Sequence, residues 1–343
     1  MRRWSWLVAL ALGVASVPPL ASAQMDHGGM QMGPGTGQSG MQTGPGTGQG
    51  GMQMGPGTGQ GGTAQGGANA GAGNVPTGQA APAPPAQAAA RLEVTTNPAT
   101  VEPRQPADLT ITLRNAATGA PLTDVQLEHQ RLVHLIVVSD DLALFSHEHP
   151  TPAGDGTFRL TYTFPSAGPY HVYADFHSAS LGPQALAAPL TVAGATPAAA
   201  GLAPGATSVN ANGAQVDFTA DPAAPRVGQP VQLRFRLSQN GQPLSDLGPY
   251  LGVAGHLVAV SQDLQEFVHT HPSNAAMPAG MSGMGDMADM DHAHMTAAPP
   301  DARFGPEVSF TLTFRRPGLH KVWGQFSRDG DVIVAPFVVQ VAP

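Results

Sequence analysis

The chain carries one domain-sized sequence twice, and this duplication limits what it can fold into. Leu109–Leu113 is answered by Leu233–Leu237, and Pro121-Leu122-Thr123-Asp124 by Pro243-Leu244-Ser245-Asp246. Gly168–Phe176 (GPYHVYADF) is answered by Gly318–Phe326 (GLHKVWGQF). Each copy has about 100 residues in which to complete a hydrophobic core, enough for one small domain. Two copies are too few for a stacked repeat array, so each is expected to fold as a domain of its own.

Within a copy, short alternating runs stand between turn signals: Leu109–Leu113, Leu132–Val138, Thr157–Phe164, Tyr170–Phe176 and Leu186–Val192. They are rich in Val, Thr, Tyr and Phe and lack a helical period, which predicts strands. The expected fold class is all-β, with two tandem immunoglobulin-like antiparallel β-sandwich domains. Their expected bounds are 91–194 and 213–342, joined by an Ala/Gly/Pro linker over 195–212.

Residues 1–23 read as a secretory signal peptide, with Arg2-Arg3, an apolar run from Trp4 and Ala21-Ser22-Ala23 before the cleavage point. The mature protein is then expected to be secreted or periplasmic. Residues 24–90 hold three units close to MQMGPGTGQGG and an Ala/Gly/Pro/Gln stretch. Such composition cannot offset its chain entropy, so a disordered tail is expected. No run after the leader approaches the roughly 18 apolar residues of a membrane span. The chain has no cysteine, a formal net charge of −8 and one lysine, Lys321. Disulfides and thiolate ligands are thereby excluded, and the charge argues against a nucleic-acid partner.

The pattern H-x12-H-x-H-P occurs at matching places in the two copies: His134, His147, His149, Pro150 and His256, His269, His271, Pro272. Imidazole is the commonest metal-binding side chain. A two-residue turn at Asp140-Asp141 would oppose Val138 to Ala143, Ile136 to Phe145 and His134 to His147. It would also bring His149 to the same face. The second copy would pair Val260 with Gln265, Val258 with Phe267 and His256 with His269. The remaining residues of that face are apolar, which places the imidazoles at the edge of the core and favours their neutral, metal-binding form. Nitrogens of one site should then lie within about 4 Å of each other. Three imidazoles on one face suit Zn(II) or copper. They suit equally a structural role, bonding backbone carbonyls where Pro150 and Pro272 end the strand.

His171 and His320 are not repeated, since they align with Lys321 and Tyr170. His320 is a candidate fourth ligand in the second copy; His129 and His177 read as surface residues. The second copy also carries an insertion over 273–302 with Met281, Met284, Met287 and Met290 spaced by three, then His292, His294 and Met295. Apart from Met1, every methionine lies in the tail or this insertion. Thioethers that fill no core are soft ligands suited to Cu(I).

The string HLIVVSDDLALFSHEHP, followed by Phe-Pro-x-x-Gly and an aromatic-rich strand, resembles the YtkA-like family of secreted bacterial domains. More broadly the chain is similar to periplasmic copper-resistance proteins of the CopC type. The resemblance spans both domain segments and implies the sandwich fold. Relatives often carry Met before the first histidine, where this chain has Val133 and Gly255. CopC-type proteins use an N-terminal histidine, where the mature chain would begin at Gln24.

These readings converge on a non-enzymatic secreted or periplasmic metal-binding protein, for sequestration, transfer or resistance. Its metal would be copper, with zinc the alternative, and its partner another envelope metal carrier or transporter. The other reading is a non-catalytic cell-envelope structural or interaction module whose histidines are internal hydrogen-bond partners. A metalloenzyme would need a general base, yet Glu148 becomes Thr270 in the second copy.

Overall fold

In the computed structural model, residues 89–272 and 297–343 are described. They fall within one unit and contain no helix. The first domain is built from β1 (Ala90–Asn97), β2 (Pro106–Asn115), β3 (Val125–Gln126), β4 (His134–Ser139), β5 (Phe145–Glu148), β6 (Thr151–Gly154), β7 (Thr157–Thr163), β8 (Gly168–Ser178) and β9 (Gly182–Val192). The second comprises β10 (Ser208–Ala211), β11 (Ala214–Asp221), β12 (Pro230–Gln239), β13 (Gln242–Pro243), β14 (His256–Ser261), β15 (Phe267–Thr270), β16 (Glu307–Thr313), β17 (Gly318–Arg328) and β18 (Asp331–Val341).

Each domain is an antiparallel sandwich. In the first, sheet β1-β2-β7-β6 faces sheet β5-β4-β8-β9, with β3 also on β8. In the second, β10-β11-β12-β16 faces β15-β14-β17-β18. This strand order is that of an immunoglobulin-like sandwich. Alternation on β2 turns Leu109, Ile111 and Leu113 inward against Leu135, Val137 and Val172 of the opposite sheet. The second core is built likewise from Leu233, Phe235 and Leu237 against Leu257, Ala259 and Val322.

The second domain starts earlier than the sequence suggested. Strand β10 lies inside the expected 195–212 linker and pairs with β11 through a tight turn. Asn212 and Gly213, at φ 46° and 76°, form that turn, and Asn-Gly is the residue pair such turns favour.

Strands β4 (HLIVVS) and β14 (HLVAVS) do not alternate: all six residues of each are buried. One face of each strand lies in its own domain's core. The other contributes to a third apolar cluster, in which Ile136, Val138, Leu142 and Tyr173 meet Val258, Val260 and Trp323. The two domains therefore dock sheet on sheet. Two aromatic pairs mark the near-twofold relation between them. Phe145 stacks on Trp323 with centroids 4.6 Å apart, and Tyr173 stacks on Phe267 at 4.7 Å. Phe145 and Phe267 hold equivalent positions, as do Tyr173 and Trp323.

Candidate metal centre

The β4–β5 turn sets where the second and third histidines fall. Asp141 accepts from Ser139 Oγ (2.6 Å) and from the Ala143 N–H (3.1 Å), while Ser139 Oγ accepts from the Leu144 N–H (3.0 Å). Leu142 adopts the left-handed conformation at φ 56°. The copy in the second domain repeats this with Ser261, Asp263 and Leu264 at φ 61°. The connection is longer than the expected two-residue turn, so the register shifts by two residues. Ile136 opposes His147 and Val138 opposes Phe145; Val258 opposes His269 and Val260 opposes Phe267. A shift of two preserves the face. His134, His147 and His149 do share one side, as do His256, His269 and His271, but with this corrected pairing.

That face lies against the other domain rather than at an open edge of the core. The two histidine sets consequently meet. His134 Nδ1 is 3.0 Å from His147 Nε2, and His256 Nδ1 is 3.1 Å from His269 Nε2. Ring centroids in the first set are 5.3, 5.2 and 4.8 Å apart. In the second they are 5.3, 4.6 and 4.9 Å apart. Three imidazoles around one ion at metal–nitrogen distances of about 2 Å have centroids about 5 Å apart. Between domains, His134 and His269 are 5.0 Å apart and His147 and His269 5.1 Å. Ligand atoms of His134, His147 and His149 all fall within 4.8 Å of one another, and so do those of His134, His256 and His269.

The partners of the outward-facing nitrogens determine which ring atoms carry protons. His134 Nε2 lies 3.1 Å from the Glu128 carbonyl, and His256 Nε2 3.1 Å from the Tyr250 carbonyl. A carbonyl only accepts, so each Nε2 donates and each Nδ1 of the neutral ring is left with a lone pair. Glu128 and Tyr250 begin equivalent tight turns whose central residues are left-handed: His129 and Gln130 at φ 44° and 67°, Leu251 and Gly252 at 52° and 82°. At the other end of each pair the partners come from the opposite domain. His147 Nδ1 lies 2.8 Å from Gln325 Oε1, and His269 Nδ1 lies 2.7 Å from Asp175 Oδ2. Where these Nδ1 atoms carry the ring proton, the Nε2 atoms are bare and two lone pairs face each other at about 3 Å in each set; in the other tautomer each pair is an N–H···N hydrogen bond.

Burial holds the rings neutral. Desolvation first, then the neighbouring histidines, pushes His134 and His147 down to about 3 and His149 to about 2. His269 falls to about 3, and His256 and His271 lie well below the ordinary value for the same reason. Nε2 of His149 and Nε2 of His271 are buried without a hydrogen-bond partner among the described residues. Burial pushes the Asp175 carboxyl up to about 6.

Other sequence expectations are corrected. His320 is not near the set it was expected to join: on β17 it pairs with Ser261, and its Nε2 bonds Glu266 at 2.9 Å. His171 bonds Asp140 at 2.9 Å. His129 is not a plain surface residue, because its ring lies 3.5 Å from that of His271 and 5.7 Å from that of His256. Its position in the turn before β4 was visible in the sequence, but its reach across to the other domain was not. Met281, Met284, Met287, Met290, His292, His294 and Met295 lie outside the described residues. The described residues stop at Pro272, one residue after His271. The described chain resumes with the Ala298 N–H bonded to the Gly252 carbonyl at 2.8 Å, in the turn that holds His256.

Two sandwiches docked around a shared histidine cluster define a tandem-domain protein with clustered imidazoles between its domains. The chain belongs to the family of the domain of unknown function DUF8832, whose model matches residues 87–193 and 208–343. No curated protein matches it. Among solved structures, the chain is similar to the Escherichia coli adhesin FdeC at 18% identity, covering 74% of this chain and 64% of that one, with a TM-score of 0.22. It is similar to the Yersinia pseudotuberculosis adhesin InvE at 15% identity, covering 72% and 58%, with a TM-score of 0.20. For the fibronectin(III)-like modules of Clostridium thermocellum CbhA the values are 11%, 73% and 93%, with a TM-score of 0.18. The chain spans less than two thirds of either adhesin chain. These likenesses carry no argument about the site.

Proposed function

We propose that this protein is a secreted or periplasmic metal-binding protein without enzymatic activity, and that its histidine cluster holds two ions, one per set. The supporting observation is the convergence of ring nitrogens. Ligand atoms of His134, His147 and His149 lie within 4.8 Å of one another, and those of His256 and His269 lie 3.1 Å apart beside the His271 ring, while carbonyl, amide and carboxylate groups face the outer nitrogens of His134, His147, His256 and His269. Metal-bound histidine characteristically donates its other N–H to such groups. A cation between two facing lone pairs turns repulsion into two bonds, and it gives His149 and His271 the partner they lack. Three imidazoles suit copper or zinc. The thioether-rich composition between Pro272 and Ala297 favours copper, and sequestration or transfer as the role.

A second reading is favoured by the His–His nitrogen separations of 3.0 and 3.1 Å, which are hydrogen-bond distances. A protonated Asp175 donating to His269, and a Gln325 amide turned to donate to His147, would convert both histidine pairs into ordinary hydrogen bonds. That reading leaves Nε2 of His149 and of His271 buried and unsatisfied, which costs about 1–3 kcal/mol each.

The test is titration of the mature protein with Cu(I), Cu(II) and Zn(II) against a competing chromophoric chelator. Two ions should bind tighter than micromolar, and His147→Ala/His149→Ala should remove one of them. Absence of binding tighter than micromolar for all three ions would leave the hydrogen-bond reading in place.

A further inference from the structure

The two sets are near-copies, yet the groups behind them differ. Asp175 and Gln325 occupy equivalent places. Each sits in the sheet beside the first histidine of its own domain, His134 opposite Asp175 and His256 opposite Gln325. Each then bonds the second histidine of the other domain. The second set is thus backed by a carboxylate at 2.7 Å, and the first by a neutral amide at 2.8 Å.

We propose that the two sets are unequal sites, the second (His256, His269, His271) selecting a divalent ion and the first (His134, His147, His149) selecting Cu(I), with Asp175 the positioning residue that separates them. This rests on the metal-binding reading above.

The argument is one of charge. A dication on three neutral imidazoles in a poorly solvated place leaves two uncompensated charges, and uncompensated buried charge is expensive. Asp175, one hydrogen bond behind His269, lowers that sum to one. It also orients the ring and makes its metal-facing nitrogen more basic. Cu(I) on three neutral imidazoles carries a single charge without help, so the Gln325-backed set suffices for it. Charge-assisted hydrogen bonds are also about twice as strong as neutral ones, so His269 is held more firmly than His147. A second difference falls on the same set. His129 of the first domain lies against His271, whereas its counterpart in the second domain is the apolar Leu251. Both differences place first-domain groups around second-domain ligands.

The experiment uses the full mature chain with Zn(II) and Cu(I), each titrated against a chelator. Asp175→Asn should weaken Zn(II) binding by about 10–100-fold, the range for loss of such a supporting group, and leave Cu(I) binding nearly unchanged. Gln325→Glu should add a second tight Zn(II). The double exchange, which keeps one carboxylate and one amide in the cluster, should move the tight Zn(II) between sets. Its loss would then follow His149→Ala instead of His271→Ala. Thermal melts of each variant separate these effects from misfolding, and the double exchange keeps the test open if Asp175→Asn alone does not fold. Equal Zn(II) affinity in Asp175→Asn and the unaltered protein, or a tight Zn(II) that stays with His271 after the exchange, would overturn the inequality while leaving metal binding intact. Failure of the unaltered chain to bind either ion would overturn the metal reading itself.

Discussion

His134 and His256 each spend one ring proton on a carbonyl six residues back, and that bond commits the other nitrogen to the cluster. Removing either ring should cost one metal equivalent, and its neighbour set should keep the other; counting bound metal in His134→Ala and His256→Ala checks this. A different pair, Glu266 and His320, stands where the first domain has Leu144 and Tyr170. The Glu266 carboxylate accepts from His320 and from the N–H groups of Arg315 (2.7 Å) and Arg316 (3.0 Å). Burial raises its pKa, but these hydrogen bonds, His320's foremost, outweigh it and hold the carboxyl below its usual value. A depressed folded pKa contributes stability above the unfolded value and loses it as pH falls through the folded one. Glu266→Gln should therefore cost about 1–3 kcal/mol at neutral pH, with the difference shrinking on acidification below the ordinary carboxylate range. Urea denaturation at several pH values reads both.

At the level of elements, the β4–β5 and β14–β15 hairpins present the histidines, and their turns fix the register. Asp141→Ala removes the acceptor for Ser139 and Ala143, and also one for the Ala200 N–H at 3.1 Å. It should cost about 1 kcal/mol per lost bond and broaden the metal titration of the first set. Chemical denaturation and the same chelator competition check it. The shared face of the three histidines was legible in the sequence because side chains alternate along a strand. The register was not, because it depends on a Ser-Asp side-chain network and a left-handed Leu142 that no alternation rule reveals. The unbroken apolar runs HLIVVS and HLVAVS did carry a signal: strands buried on both faces read as continuous hydrophobic stretches. Nothing in the sequence named the other domain as the covering surface. The cross-domain bonds of Asp175 and Gln325, and the reach of His129, were therefore out of view.

For the whole molecule, docking and metal binding should stabilise each other. Trp323 is buried between the domains, stacked on Phe145. Trp323→Ala should cost about 3–5 kcal/mol and weaken metal binding in both sets, as read by thermal melts with and without chelator. Saturating metal should raise stability by about 2.7 kcal/mol at one hundred times its dissociation constant. After proteolytic nicking in the exposed stretch 203–207, the two halves should still co-elute with metal present and separate when chelator is combined with Trp323→Ala. The near-twofold docking of two copies joined by residues 193–207 has a further consequence. Two separate chains would have to find each other, and a dilute compartment would empty such a site. A short tether instead supplies a local concentration in the millimolar range, so the centre assembles at any abundance. A tether also lets each half change without its mirror, as Asp175 and Gln325 have done, which no assembly of identical chains could allow.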